Sequence, residues 1–163
     1  MRIDGKGRMS IPAKFRRVFE SADPDWQQPG DRPRLVIVYG RPDWQWIELF
    51  TIEAVDEIDA QIDLMPRGSI ERRYLESVMH GAAEEADIDG EGRLILPQKL
   101  RDKIGLQDSA FFIAAGDYLK LWNPETYTAA AGAELDEFAA TLPPGFDPRA
   151  LLPPLPRGDG SGA

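Results

Sequence analysis

Residues 4–16 read DGKGRMSIPAKFR, and residues 89–101 read DGEGRLILPQKLR. Without a gap the two stretches are identical at Asp4/Asp89, Gly5/Gly90, Gly7/Gly92, Arg8/Arg93, Pro12/Pro97, Lys14/Lys99 and Arg16/Arg101. Apolar residues also coincide at Met9/Leu94, Ile11/Leu96 and Phe15/Leu100. Agreement of this kind makes the chain two copies of one supersecondary unit. Within each copy, two glycines beside an aspartate permit the positive φ angles of a tight turn. The apolar residues that follow lead into Pro12 and Pro97, each placed to be the first residue of a helix.

Outward from the motifs the echo continues. LVIVYG at 35–40 is answered by FFIAAG at 111–116, and IELF at 47–50 by LKLW at 119–122. Strands are expected at 35–39, 46–50, 110–114 and 118–122, with each half ending in a helical stretch. Phe15, Val18 and Phe19 should share the inner face of the first helix, with Lys14, Arg16 and Arg17 elsewhere. Leu100 and Ile104 face inward in the second, which Gly105 ends as a left-handed C-cap followed by the apolar Leu106.

Between the halves, Ile52, Val55, Ile58 and Ile62 recur at helical spacing, and Ser69 caps a second helix running to about His80. Asn123-Pro124-Glu125 is a helix start. Residues 22–33 read as a surface loop, and from Pro143 onward the composition is that of a disordered tail. The division is therefore a first repeat over 1–50, connecting helices over 51–80, a second repeat over 81–128, and a C-terminal helix with its tail over 129–163. Neither unit closes a core alone, so one barrel-like body built from both is expected.

The 163 residues are 42% hydrophobic, enough for a buried core, and they include no cysteine. Disulfides, thiolate zinc sites and cysteine nucleophiles are thereby excluded. No stretch has the length of apolar residues that a membrane span needs, so a cytoplasmic protein is expected. A formal net charge of −9 argues against nucleic acid only as a total. Residues 1–17 carry six basic side chains, Arg2, Lys6, Arg8, Lys14, Arg16 and Arg17, against Asp4 alone, while the remainder is strongly acidic. That asymmetry describes either a local anion-binding face on a self-repelling body or a solvated basic terminus.

The paired D-x-x-G-R motifs, each leading through a strand to an I/L-P-x-K-apolar-R helix start, resemble those of the MraZ family. The G-A-x-x-E run at 81–85 before the second copy adds to the likeness, which covers roughly residues 1–130. The resemblance implies an α+β, β-rich, pseudo-symmetric double-split β-barrel of the AbrB-like, swapped-hairpin kind with flanking helices. It implies a transcriptional regulator, a ring of identical subunits that binds promoter direct repeats of the division and cell-wall gene cluster in double-stranded DNA at the nucleoid. It ties Asp4–Arg8 and Asp89–Arg93 to DNA contact. In the family several residues precede the first motif, whereas here Met1-Arg2-Ile3 do, and a shortened first strand is expected.

On that reading Arg8 is the principal base or phosphate contact, since its guanidinium fork matches a guanine edge. Lys6 sits at the turn tip, and Arg2, Lys14, Arg16 and Arg17 are candidates for the DNA backbone. A salt bridge from Arg8 to Asp4 across the turn is the structural alternative, and the two roles are compatible. Arg93 is the matching candidate in the second copy. There Glu91 replaces Lys6, so that copy is expected mainly to maintain the fold; Asp4, Gly7 and Pro12 in the first copy and Asp89, Gly92 and Pro97 in the second are structural positions. A protein-interaction ring would explain the repeat but not the basic terminus. An enzyme is not expected, because a single histidine and no cysteine offer no nucleophile–base pair. Neither a metal, a cofactor nor a small-molecule substrate is expected.

Overall fold

The computed structural model describes residues 1–156. It is a mixed α and β structure with two antiparallel sheets and several helices. The first half runs β1 (Arg8–Ser10), α1 (Ala13–Ser21), β2 (Arg34–Val38), β3 (Trp46–Thr51) and α2 (Ile52–Asp63). A connecting helix α3 (Ile70–Glu76) continues as a π-helical turn over Ser77–Gly81. The second half runs β4 (Ala83–Asp87), β5 (Arg93–Ile95), α4 (Gln98–Lys103), β6 (Phe111–Ala114), β7 (Tyr118–Trp122) and α5 (Pro124–Tyr127). A second π-helical turn, Thr128–Gly132, leads into α6 (Ala133–Ala140).

The halves interleave. Five strands form one sheet in the order β4-β2-β3-β7-β6, and β1 pairs with β5 in a two-stranded ribbon. The seam between β3 and β7 sets Trp46 opposite Trp122, Glu48 opposite Lys120 and Phe50 opposite Tyr118. Residues 1–3 lie beside the segment before β6: Arg2 bridges Ser109, and the Ile3 N–H donates to Asp108 O at 2.9 Å. In the other half Arg34 stands opposite Asp87, and the Ile88 N–H donates to Pro33 O at 2.9 Å.

Period-two alternation drives one face of every strand into a shared core. Met9, Ile11, Phe19, Leu35, Ile37, Ile47 and Leu49 meet Ile88, Leu94, Leu96, Leu100, Leu119 and Leu121 there, so both motifs are buried against each other. On the opposite face of the sheet, Val38, Phe50, Ala54 and Val78 form a smaller cluster under α2. Burial of that much apolar surface outweighs what either short ribbon strand could contribute through its own backbone bonds.

Several sequence expectations are refined. Pro12 and Pro97 stand one residue earlier than expected, at the N-cap positions of α1 and α4. Their extended ψ angles of 142° and 148° keep them outside the helix, while their carbonyls accept the first helical N–H bonds. Val18 is half exposed and not on the buried face, because α1 rolls onto Phe19 and Phe15. Gly105 has φ 66°, and its N–H and that of Leu106 donate to Asp102 O and Arg101 O, the paired bonds of a Schellman motif. Ser69 and Asn123 cap α3 and α5 as expected.

The loop over 22–33 is not wholly on the surface. Asp23 is buried, because its carboxylate accepts the backbone N–H of Arg34 at 2.8 Å and pairs with that residue's guanidinium. Beyond Pro143, residues up to 156 contain a turn closed by the Phe146 N–H on Pro143 O and a short 3-10 helix, Pro148–Leu151, capped by Asp147. The rest of the expected tail, residues 157–163, lies outside the described residues.

Candidate nucleic-acid interface

The spacing D-x-x-G-R has a local cause in both copies. Asp4 Oδ1 accepts the backbone N–H groups of Lys6 at 2.9 Å and Arg8 at 3.0 Å, while the Gly7 N–H returns to Asp4 O at 3.0 Å. Asp89 does the same for Glu91 and Arg93, both at 2.9 Å, with the Gly92 N–H on Asp89 O. One carboxylate therefore closes each turn. Only the second glycine of each motif uses positive φ, 82° at Gly7 and 78° at Gly92.

The turns deliver the two strands to each other. The Ile11 N–H donates to Gly92 O and the Leu96 N–H donates to Gly7 O, each at 2.9 Å. In the resulting ribbon Arg8 faces Ile95, Met9 faces Leu94 and Ser10 faces Arg93. Met9 and Leu94 are buried, so Arg8, Ser10, Arg93 and Ile95 make up the outward face.

Arg8 and Arg93 line two clefts on this face. The larger, about 700 Å³, is shared with Arg2, Ser10 and Asp108. Arg32 joins the two arginines in the other. Arg2, Arg8 and Arg93 are thus brought together. Arg32, which pairs with Asp87 at 3.7 Å, was hidden in the proline-rich loop and carried no local sequence signal.

The two arginines differ in what holds them. Arg8 Nε donates to Asp4 Oδ2 at 2.6 Å, and among the described residues neither Nη of Arg8 makes a hydrogen bond. The backbone N–H of Arg8, then its guanidinium, hold the Asp4 carboxyl down at about 2, so it stays ionised as a fixed brace. Arg93 Nε reaches Asp89 Oδ2 at 3.3 Å, but its Nη2 is also paired with Glu91 at 2.7 Å. Hydrogen bonding from the Arg93 backbone N–H likewise lowers the Asp89 carboxyl below its usual range. Arg8 therefore presents a clamped base and free fork ends, while Arg93 is held from both sides.

The remaining basic candidates are dispersed. Lys6 is exposed at the turn tip. Lys14 lies over the Phe15 ring, 4.8 Å from its centroid, and Arg17 is exposed on the same helix. Neither lines the two clefts. Arg16 is half-buried, with its guanidinium packed over Gly92. Its second-copy counterpart Arg101 packs over Gly7 and donates from Nε to Leu96 O at 3.1 Å.

His80 pairs with Asp59 at 2.7 Å on the exposed side of α2. No helix among the described residues is long and apolar enough to cross a membrane.

Comparison with known proteins agrees with the motif. A family model described as "MraZ protein, putative antitoxin-like" matches residues 79–141. The transcriptional regulator MraZ of Ruegeria pomeroyi is 52% identical over 151 residues, covering 93% of this chain and 90% of the relative. That of another Ruegeria species is 50% identical over the same shares. A more distant relative of the same name, from Cereibacter sphaeroides, is 37% identical over 158 residues, with 93% of this chain and 90% of the relative covered. The chain belongs to the MraZ family.

Proposed function

We propose that this chain is a DNA-binding transcriptional regulator that contacts double-stranded DNA through the outward face of the β1–β5 ribbon. The observation that carries the reading is Arg8, clamped by Asp4 through Nε with both Nη groups left to meet a ligand. An antiparallel two-stranded ribbon fits the major groove, and a guanidinium fork held in that way suits a guanine edge or a phosphate. Arg2, Arg32 and Arg93 supply further positive charge in the flanking clefts. The relatives' shared name, transcriptional regulator, points the same way. The reading includes no enzymatic reaction.

The finer features belong to the same proposal. The DNA is a set of promoter direct repeats of the division and cell-wall gene cluster, and the regulator works at the nucleoid. The two repeats, residues 1–50 and 81–128, close into a pseudo-symmetric barrel; the exchanged bonds Ile11 N–H to Gly92 O and Leu96 N–H to Gly7 O support it. The subunits assemble into a ring. The exposed Leu135 and Phe138 of α6, which join no core among the described residues, are the kind of surface such assembly covers.

The copies divide the work. The first motif binds DNA, and the second, with Arg93 tied to Glu91, mainly maintains the fold. Fluorescence anisotropy with a direct-repeat duplex and a scrambled duplex over a salt series tests this. Repeat-selective binding that weakens steeply with salt, and that Arg93→Ala reduces far less than Arg8→Ala, is expected. An assembled wild-type protein that ignores both duplexes would refute the function, and equal loss in the two variants would refute the division.

A further inference from the structure

The outward ribbon face has two arginines on one diagonal, and the other two corners are unlike. Ser10 stands opposite Arg93, whereas Ile95 stands opposite Arg8. Ile95 is 56% exposed, although its neighbour Leu94 is fully buried in the same three-residue strand. It lines the cleft that Arg8, Arg32 and Arg93 also line. Scattered exposed apolar residues are ordinary on a protein surface. This one stands directly opposite Arg8, in a cleft where Arg8, Arg32 and Arg93 meet Asp87 and Asp89, and its counterpart in the first motif is a serine.

We infer that Ile95 is a base-reading residue that packs against the C5-methyl group of a thymine in the major groove, beside the base contacted by Arg8. Thymine's methyl is the one apolar feature of the major-groove edge, and an aliphatic side chain is its natural partner. Directly opposed residues of an antiparallel pair hold their Cβ atoms about 5 Å apart, and base pairs are stacked about 3.4 Å apart. The thymine therefore lies within about two base pairs of the Arg8 contact. Because Ser10 occupies the matching corner, the two sides of the ribbon read different bases. The bound site is then asymmetric, as a direct repeat is and a palindrome is not. This inference rests on the DNA-binding reading above.

The test uses the full chain and a promoter direct-repeat duplex made either with thymine or with deoxyuridine throughout, which removes only the methyl groups. Wild-type protein is expected to bind the uracil duplex about four-fold more weakly per contacted methyl. Ile95→Ser should bring the ratio of the two affinities close to one, with unfolding temperature and particle size unchanged, and Ile95→Val should retain most of the discrimination. Single deoxyuridine substitutions should place the sensitive thymine within about two base pairs of the guanine whose 7-deaza replacement mimics Arg8→Ala.

Equal binding of both duplexes by the wild type, or an undiminished ratio in Ile95→Ser, overturns the inference while leaving the DNA-binding reading standing. A change in particle size without a change in ratio would make Ile95 a subunit contact and overturns it equally. Absence of salt-sensitive binding to either duplex overturns both.

Discussion

The guanidinium of Arg16 lies over the Cα of Gly92, so the first motif's helix is seated on the second motif's turn. Arg101 lies over Gly7 in the reciprocal arrangement. Each turn needs a glycine for its left-handed backbone, and at Gly7 the Leu96 carbonyl oxygen adds a second reason. The ribbon, the helices and the two turns form one mechanical unit that holds Arg8 in place.

Gly7→Ala is expected to destabilise the fold by about 2–4 kcal/mol. A Cβ there would fall 2.5 Å from the Leu96 carbonyl oxygen, a backbone atom that already accepts the Arg101 Nε–H, at a φ of 82°. Gly5, with open space around it, is the control: Gly5→Ala should change stability by no more than about 0.5 kcal/mol. Urea unfolding of the two variants measures the difference. Similar values for both would show that the second glycine of the motif carries no special demand.

Arg16→Ala and Arg17→Ala separate packing from charge, since both remove one cation from α1. Arg16 covers Gly92, whereas Arg17 is exposed. Loss of Arg16 should cost about 1 kcal/mol through lost packing of its stem and head, and loss of Arg17 close to nothing. Thermal unfolding reads this directly. An Arg17→Ala protein less stable than Arg16→Ala would contradict the placement.

Asp4→Asn gives a prediction whose sign is opposite to that of simple charge. The substitution removes a negative charge beside the proposed DNA face, which by long-range electrostatics alone should strengthen binding. It also loosens the brace on Arg8, and affinity for the repeat duplex should fall. The carboxyl, lowered to about 2, adds to stability above its unfolded value of about 3.9, and that contribution is lost as the pH falls toward about 2. Carboxyl NMR should find Asp4 still ionised where ordinary aspartates have protonated. Tighter repeat binding by Asp4→Asn would show that no brace is needed.

Asp23 anchors the loop before β2. Its side chain is 1% exposed and its carboxylate takes the Arg34 backbone N–H and guanidinium, the latter being the main cause of its lowered pKa. The stabilisation is present above the ordinary aspartate range and disappears as the pH falls below it. Asp23→Ala should cost about 2 kcal/mol at neutral pH, since Arg34 keeps Asp25 as a partner at 2.9 Å. In urea titrations the gap from the wild type should narrow toward acid pH. A gap that stays constant from neutral to acid would rule out the ionised pair as its source.

Much of this is legible in the sequence. The turn residues Asp4, Gly7, Asp89 and Gly92 announce themselves because the repeat isolates them and only a few residue types close such a turn. Strand and helix placements followed from alternation and caps, since those signals are local. The pairing of β1 with β5 was not readable, because three residues of alternation say which face is buried and nothing about which strand lies alongside. Arg16 reads in the sequence as a candidate for the DNA backbone for the same reason: only the tertiary fold brings Gly92 beneath it. Arg32 and Asp23 stood in a segment whose composition signals loop, and their roles come from partners supplied by β2 and β4.

The central claim is that DNA lies on the β1–β5 ribbon. With no native cysteine, single cysteines can be placed at will, and a photo-crosslinker can be attached at Ser10→Cys on the outward ribbon face or at Glu57→Cys on the exposed side of α2. After irradiation with a repeat duplex, crosslinked protein–DNA species are predicted from Ser10→Cys, competed away by salt, with little or none from Glu57→Cys. Crosslinking from Glu57→Cys with none from Ser10→Cys would place the DNA elsewhere and contradict the account.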